Sequence, residues 1–397
     1  MLKEKAIVLG VTGSIASYKA ADLASKLVQA GAILDVILTR EALHFLTPLT
    51  FQSLTHRPVT TDLFSPTSEL AMDHVALAER AELIVVAPAT ANCIAKVANG
   101  LADDALTSTI LATRAPVLMA PAMDAHMWDN AATQDNIARL QARGVTIVGP
   151  VEGRLASGLR GKGRMVEPVE LLGHIRALLG RNGDLRDHTI VVSAGGTQEP
   201  IDPVRIISNR SSGKMGYAIA EAARDRGAKL VLVAAPTALP DPPAVETVHV
   251  QTVAQMREAV LSACQKASAV IMAAAVSDYR PAQTAAQKIK KSEGGLTLQL
   301  VKNPDFFLEV PRHVLRVGFA AESEDLVENA RKKLVEKELD LIVANDITEE
   351  GSGFGTDTNR VVLLDRQGKP EYLPLLPKYD VAHRILDRVV ALLKARR

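Results

Sequence analysis

AIVLGVTGSIASYKAADLASKL, residues 6–27, decides the fold. Its first six residues form an apolar run too short for a buried helix, Thr12, Gly13 and Ser14 make a turn, and apolar residues then recur at helical spacing. A strand without polar alternation is buried on both faces, which a parallel sheet covered by helices provides. The same rhythm returns in ILDVILTR (33–40), ELIVVAPAT (82–90), PVLMAPAM (116–123) and VTIVGP (145–150). These five runs predict a doubly wound α/β domain.

A polar, glycine-containing stretch, RNGDLRDH (181–188), follows a helical segment and marks the expected boundary between domains 1–181 and 182–397. The rhythm then restarts in TIVVSAGGT (189–197), KLVLVAAPT (229–237), AVIMAAAVSD (269–278), RVGFAAES (316–323) and LDLIVAND (339–346). TLQLVKNPD (297–305) and RVVLLDRQGKPEYLPL (360–375) alternate more and are expected as antiparallel or edge strands. The fold class expected is therefore α/β, with two doubly wound Rossmann-like domains, and 397 residues are enough for two cores.

Composition narrows the function. Lys+Arg 46 against Asp+Glu 45 leaves a net charge of +1, which argues against a nucleic acid or another polyelectrolyte as partner. The two cysteines, Cys93 and Cys264, stand far apart in apolar contexts, so neither a disulfide framework nor a thiolate metal site is expected. No apolar run approaches the roughly 20 residues of a membrane span, and the apolar run near the start is too short for a signal peptide. A cytoplasmic protein is the expectation.

In the first half, Gly13 and Ser14 lie where a strand meets a helix start, a place suited to phosphate, although the GxGxxG fingerprint is absent. The APATAN loop (87–92) ends another strand, at the sheet edge where ligands bind. Met127 and Trp128 read as packing residues, and His74 in AMDHVALAERAEL as a core histidine or a proton carrier. GSIASYK, APATAN, PAMDAHMW (121–128) and GKGRM (161–165), in this order, resemble the flavin-binding cysteine decarboxylases over residues 5–178. The resemblance implies a flavodoxin-like domain, usually in trimers, that holds FMN near Gly13, Ser14, Thr39, Thr90, Ala91, Asn92 and Met123. It also implies that His74 is catalytic, that a cysteinyl thiol is oxidised by FMN, and that carbon dioxide then leaves.

GRLASGLRGKGRMVEP (153–168) then corresponds to a mobile flap over the substrate, with glycines for motion and basic residues for a substrate phosphate. Two positions depart from the resembled pattern, Asp124 where asparagine is common and Ser157 where a cysteine serves as acid. A serine hydroxyl is a far weaker acid than a thiol, so Asp124 is the candidate replacement, on the expectation that a partly desolvated pocket raises its pKa.

In the second half, Asn209, Ser211, Ser212 and Lys214 run into a helix start and form either an anion cradle or a plain cap, without a Walker A sequence. Asp278 ends a strand and suits a ribose or a magnesium ion, while Lys288 suits a triphosphate; Lys290 and Lys291 read as a solvated face. SNRSSGKMG, AAVSDYRP, KIKK, KNPD, GFAAE and LDLIVAND together resemble the phosphopantothenate–cysteine ligases over residues 187 to about 360. That resemblance implies that CTP activates phosphopantothenate as an acyl cytidylate, which the cysteine amine attacks. It carries over Asn209 as the residue holding the acyl cytidylate and Lys288 as the residue serving its formation. CTP is then expected at Met272, Ala273, Ala274, Asp278, Lys288, Asn303, Pro304, Asp305, Phe306, Phe319, Lys333 and Lys337, with magnesium at Asp278.

Joined in one chain, the two resemblances imply consecutive steps from 4'-phosphopantothenate, cysteine and CTP to 4'-phosphopantetheine. Decarboxylase trimers and ligase dimers would together build a homo-oligomer such as a dodecamer. Two rivals stand beside this expectation. One is a ligase whose flavoprotein domain is impaired at Asp124 and Ser157 and acts as scaffold. The other is a flavodoxin-like electron carrier fused to a nucleotide-binding domain, against which a substrate flap argues.

Overall fold

The computed structural model describes residues 2–63, 73–290, 296–322, 324–346, 348, 351, 353, 355–367 and 369–396. The chain divides into two compact units, Met1–Leu179 and Gly180–Arg397.

The first unit runs β1 (Ala6–Val11), α1 (Ser17–Gln29), β2 (Ile33–Leu38), α2 (Pro48–Thr55), β3 (Val59–Thr60), α3 (Asp73–Arg80), β4 (Leu83–Ala89), α4 (Ala91–Asn99) and α5 (Ala105–Ala112). It continues with β5 (Val117–Pro121), α6 (Ala125–Asp129), α7 (Ala131–Ala142), β6 (Thr146–Ile147), β7 (Val151–Arg154), β8 (Arg160–Arg164) and α8 (Pro168–Gly180). The strand order β3-β2-β1-β4-β5-β6 is parallel throughout. Without the two-residue β3 it is the flavodoxin-like order, and it reverses between β1 and β4. The apolar runs form these strands because both faces are covered: Ile7, Leu9 and Val11 face one core, Val8 the other. Helix α1 buries the stripe Ala20, Leu23, Ala24 and Leu27 at the spacing its sequence dictates. Truncating one such leucine to alanine costs about 2–5 kcal/mol.

The second unit runs β9 (Thr189–Ala194), β10 (Gln198–Pro200), β11 (Ile206–Ser208), α9 (Lys214–Asp225), β12 (Lys229–Ala234), β13 (Glu246–His249), α10 (Val253–Cys264), β14 (Ala269–Met272), β15 (Tyr279–Pro281) and β16 (Leu300–Lys302). After these come β17 (Leu315–Glu322), α11 (Leu326–Glu336), β18 (Leu341–Asp346), β19 (Thr358–Asn359), β20 (Val362–Asp365), β21 (Glu371–Tyr372), β22 (Leu376–Pro377) and α12 (Lys378–Ala395). Its main sheet, β13-β12-β9-β14-β17-β18-β20-β21, is parallel up to β18 and antiparallel beyond it. The order reverses between β9 and β14, so each unit has its own switch point. The two alternating stretches are the antiparallel ones, β16 on β15 and β20–β21 at the sheet edge.

The stretch 181–188 is not a free connector. Leu185 is fully buried in the core of the second unit, its amide donates to the Arg226 carbonyl, and Asp184 pairs with the Arg226 guanidinium. An apolar residue in a polar stretch was the clue to this packing.

Candidate active sites at two switch points

In the first unit, the carboxyl ends of β1, β2, β4 and β5 meet around the β1/β4 switch point. Thr12 ties two of these loops together. Its hydroxyl donates to the Pro88 carbonyl at 2.7 Å and accepts from the Thr90 amide at 3.1 Å. Beside it, a Cβ on Gly13 would lie 2.4 Å from the Glu41 Cβ, so only glycine lets the β1 loop pass the loop after β2. Ser14 accepts from the Ala16 amide through its hydroxyl at 3.3 Å, and Thr90 caps α4 by accepting from the Cys93 amide at 3.3 Å. Gly13, Ser14, Thr39, Thr90, Ala91, Asn92, Met123 and Asp124 thus lie at four neighbouring strand ends.

Thr39 is buried, and its hydroxyl has no hydrogen-bond partner among the described residues. An orphaned buried hydroxyl costs free energy unless a ligand satisfies it. With the loop amides and hydroxyls around it, this donor set fits the polar groups of FMN. His74 stands in the first turn of α3, which leads back from this edge toward the start of β4, and its Nδ1 is likewise buried without a partner among the described residues.

The GRLASGLRGKGRMVEP stretch is an antiparallel hairpin, β7 on β8, rather than an irregular loop. The expectation that its glycines serve motion is corrected at two of them. A Cβ on Gly163 would stand 2.2 Å from the Met123 carbonyl, and one on Gly161 2.7 Å from the Ala125 Cβ. The Met123 amide donates to the Gly163 carbonyl at 3.0 Å, and the Lys162 ammonium lies 5.5 Å from the Trp128 ring centroid. Glycine here permits close docking of the hairpin on the PAMD loop.

At the hairpin tip, the Ser157 hydroxyl donates to the Asp124 carboxylate at 2.8 Å. The Asp124 carboxyl is held below its ordinary pKa, first by that bond and then by the His126 amide, which donates to it at 3.0 Å. The expectation of a raised pKa at Asp124 is therefore overturned for the single chain, because donors aimed at the ionised form outweigh the slight desolvation. Lys19, from the GSIASYK motif, is buried and donates to the Met165 carbonyl and Glu167 carboxylate, both at 2.8 Å, so it anchors the hairpin's exit.

In the second unit, the Asn209 side chain donates to the Val276 carbonyl at 3.1 Å and joins the polar segment before α9 to the loop after β14. Asn303 is buried and fully engaged. It donates from its side chain to the Ser277 carbonyl at 2.9 Å and from its backbone to the Asp278 carbonyl at 2.8 Å, and it accepts from Arg280 at 3.0 Å. Met272, Ala273 and Ala274 form and follow the end of β14, and Phe319 lies one residue beyond the register pair Met272–Gly318 on the adjoining strand. The structure brings these predicted residues together at one switch point.

Others stand differently. Phe306 is buried in the core, which leaves its backbone for a ligand, while Pro304 and Asp305 are exposed. Lys333 pairs with Glu322 at 2.6 Å and Lys337 with Asp305 at 3.1 Å, so a bound triphosphate would compete with these carboxylates. Lys288 is exposed, on a segment held by Asp202, which accepts from the Ile289 amide at 3.1 Å and from the Arg205 guanidinium at 2.7 Å. Lys214 donates to the Gly355 carbonyl at 2.8 Å and the Asp357 carboxylate at 2.7 Å. Lys290 is exposed and Lys291 lies outside the described residues.

Asp278 is an exposed single carboxylate, and no group of three metal-ligating side chains occurs among the described residues. This donor set does not make a resident metal site; it fits magnesium delivered on a nucleotide, which needs one or two carboxylates besides phosphate oxygens. No helix among the described residues is long and apolar enough to cross a membrane.

Sequence reasoning missed Thr12, Asp202 and Lys378. The Lys378 ammonium is buried and donates to the carbonyls of Gly353, Thr356 and Thr358, fixing the turn that meets Lys214. Each is a single polar residue with at least one partner distant in sequence, and only the TGS turn gave any hint of Thr12.

A parallel sheet and a mostly parallel one, each with a polar switch point at its carboxyl edge, define a pair of fused Rossmann-like domains. Residues 1–180 match the flavoprotein family model, and residues 185–393 match the DNA/pantothenate metabolism flavoprotein C-terminal domain. The coenzyme A biosynthesis bifunctional protein CoaBC of Bacillus subtilis (strain 168) is 46% identical over 400 residues, covering 99% of this chain and 98% of its own length. That of Escherichia coli (strain K12) is 44% identical, covering 98% and 97%. The solved C-terminal domain of a coenzyme A biosynthesis bifunctional protein CoaBC is 39% identical, covers 54% of this chain and 99% of its own, and superposes with a TM-score of 0.47. The FMN-dependent cysteine decarboxylase SpaF is 30% identical, covers 45% and 97%, and superposes with a TM-score of 0.40. The chain belongs to the family of bifunctional coenzyme A biosynthesis proteins, which combine decarboxylase and ligase activities.

Proposed function

We propose that residues 182–397 join 4'-phosphopantothenate to cysteine at the expense of CTP, and that residues 1–181 decarboxylate the product to 4'-phosphopantetheine. Likeness to bifunctional relatives along 99% of the chain carries this reading. In the ligase step, the substrate carboxylate displaces pyrophosphate from CTP, and the cysteine amine then displaces CMP. Two anions must meet, so Lys288, Lys333 and Lys337, with magnesium on the triphosphate near Asp278, offset the repulsion. Asn209, oriented by its bond to the Val276 carbonyl, holds the acyl cytidylate.

In the decarboxylase, Ser14, Thr39, Thr90 and the amides at Ala91 and Asn92 hold FMN, and Met123 borders it. Bound flavin supplies reversible two-electron oxidation of the substrate thiol. His74 takes the thiol proton through a ring whose Nδ1 no described residue occupies. The β7–β8 hairpin covers the substrate and brings Ser157 and Asp124 to it as one hydrogen-bonded pair. The scaffold reading of this unit is not favoured, because both family models match and the relatives along the chain are bifunctional proteins. The protein acts in the cytoplasm, as a homo-oligomer built from trimers of the first unit and dimers of the second.

Purified, FMN-loaded protein given phosphopantothenate, cysteine, CTP and magnesium is expected to release carbon dioxide and phosphopantetheine. Accumulation of phosphopantothenoylcysteine would restore the scaffold reading. Absence of CTP consumption would overturn the ligase assignment.

A further inference from the structure

Around the amino ends of β17 and β18, at the sheet edge opposite the β9/β14 switch-point loops, a cavity of about 260 Å³ is lined by Arg312, Arg316, Arg366, Arg396, Glu338 and Asp340, with Val314. A single water occupies about 30 Å³ of liquid, so the space accepts more than one ordered solvent molecule. Four guanidiniums face two carboxylates, leaving two positive charges in excess.

The pairings show which charges are already used. Asp340 is buried and accepts from the Arg316 amide at 2.8 Å, while Arg396 reaches it at 2.7 Å and Arg366 at 3.3 Å. Arg316 is itself buried; its guanidinium donates to the Val310 carbonyl and reaches Glu338 at 3.4 Å, and only its Nε has no acceptor among the described residues. Arg312 is exposed at the rim. A buried guanidinium nitrogen left without an acceptor is costly, so the Arg316 Nε calls for one that the protein does not supply among the described residues.

We infer that this cavity is a second anion site, which takes a phosphate dianion as the free ion or as the head of a phosphomonoester. Guanidinium forks match phosphate oxygens in pairs, and a dianion balances the two excess charges. The site is separate from the nucleotide residues, yet Glu338 directly follows Lys337 in the chain. Occupancy that draws Arg316 from Glu338 therefore acts beside a residue assigned to CTP.

The test is calorimetric titration of the FMN-loaded full chain with inorganic phosphate and, in a parallel arm, glycerol 3-phosphate. A Lys288→Gln background separates this binding from that at the nucleotide site. Saturable binding that survives Lys288→Gln and weakens about 10-fold or more in Arg312→Gln/Arg366→Gln is expected, since two charge-assisted contacts are lost. Both replaced side chains are exposed, and an unchanged circular dichroism spectrum checks that the variant folds. A stronger response in one arm identifies the free ion or the monoester as the ligand. Equal affinity in the double variant, or no saturable binding in the Lys288→Gln protein in either arm, would overturn the inference.

Discussion

Ser157 and Asp124, the two positions that depart from the resembled decarboxylase pattern, are hydrogen-bonded to each other at 2.8 Å. They are one departure made in two places. The hydroxyl is the largest reason that the Asp124 carboxyl lies below its ordinary pKa. Ser157→Ala is expected to move that pKa upward, read by carbon NMR titration of the carboxyl. If the pair carries the proton for the final reduction, Asp124→Asn lowers decarboxylase turnover about 10²-fold or more while CTP consumption is unchanged. Undiminished turnover would remove Asp124 from the mechanism.

Thr39 separates the folded apoprotein from its cofactor. Its hydroxyl is buried without a partner among the described residues, so Thr39→Val is expected to leave the melting temperature of the flavin-free protein unchanged or higher. The same variant should lose FMN about 10-fold more readily, because a buried hydrogen bond to ligand is gone. Flavin fluorescence on dilution measures this, and equal retention would exclude Thr39 from the site.

Gly163 tests the docking of the hairpin. A methyl group 2.2 Å from the Met123 carbonyl must displace one backbone or the other, at about 1–3 kcal/mol. Gly163→Ala is expected to impair decarboxylation and spare ligation, measured as carbon dioxide against pyrophosphate release in the same sample. Equal losses in both would mean general unfolding.

The cysteines give a chemical readout. Burial pushes the thiols of Cys93 and Cys264 up to about 12 each, with the Asp104 charge adding to the effect at Cys93. An acid with a raised pKa keeps its proton, so at pH 8 neither is expected to react with a disulfide reagent in the native protein. Both should react in denaturant. Rapid native labelling would show that one of the cores opens.

The strands were legible because a doubly covered parallel sheet imposes a local rule, an uninterrupted apolar run, which Ile7–Val11 and Ile190–Val192 obey. The loops that gather at the switch points followed from strand ends, so Gly13, Thr90 and Asn209 could be placed in advance. The rest depended on partners far along the chain. Gly163 looked like a hinge residue because Met123 was not visible beside it. Asp124 looked desolvated because no local rule brings Ser157, 33 residues away, to its carboxylate. The pocket at Arg316 was hidden for the same reason, since its arginines are scattered from 312 to 396.

Helix α12 supplies Val381, Ala382, Ile385, Leu386, Val389, Val390 and Leu393 to the core that also holds β9 and α9. During synthesis the first unit has all its core residues in hand once α8 emerges, and it can fold while the ribosome is still reading the second. The second unit must keep the part of that sheet face not covered by α9 exposed until α12 arrives. That interval exposes it to aggregation and chaperone capture, so the flavin-binding half is expected to mature first and to keep the unfinished half in solution.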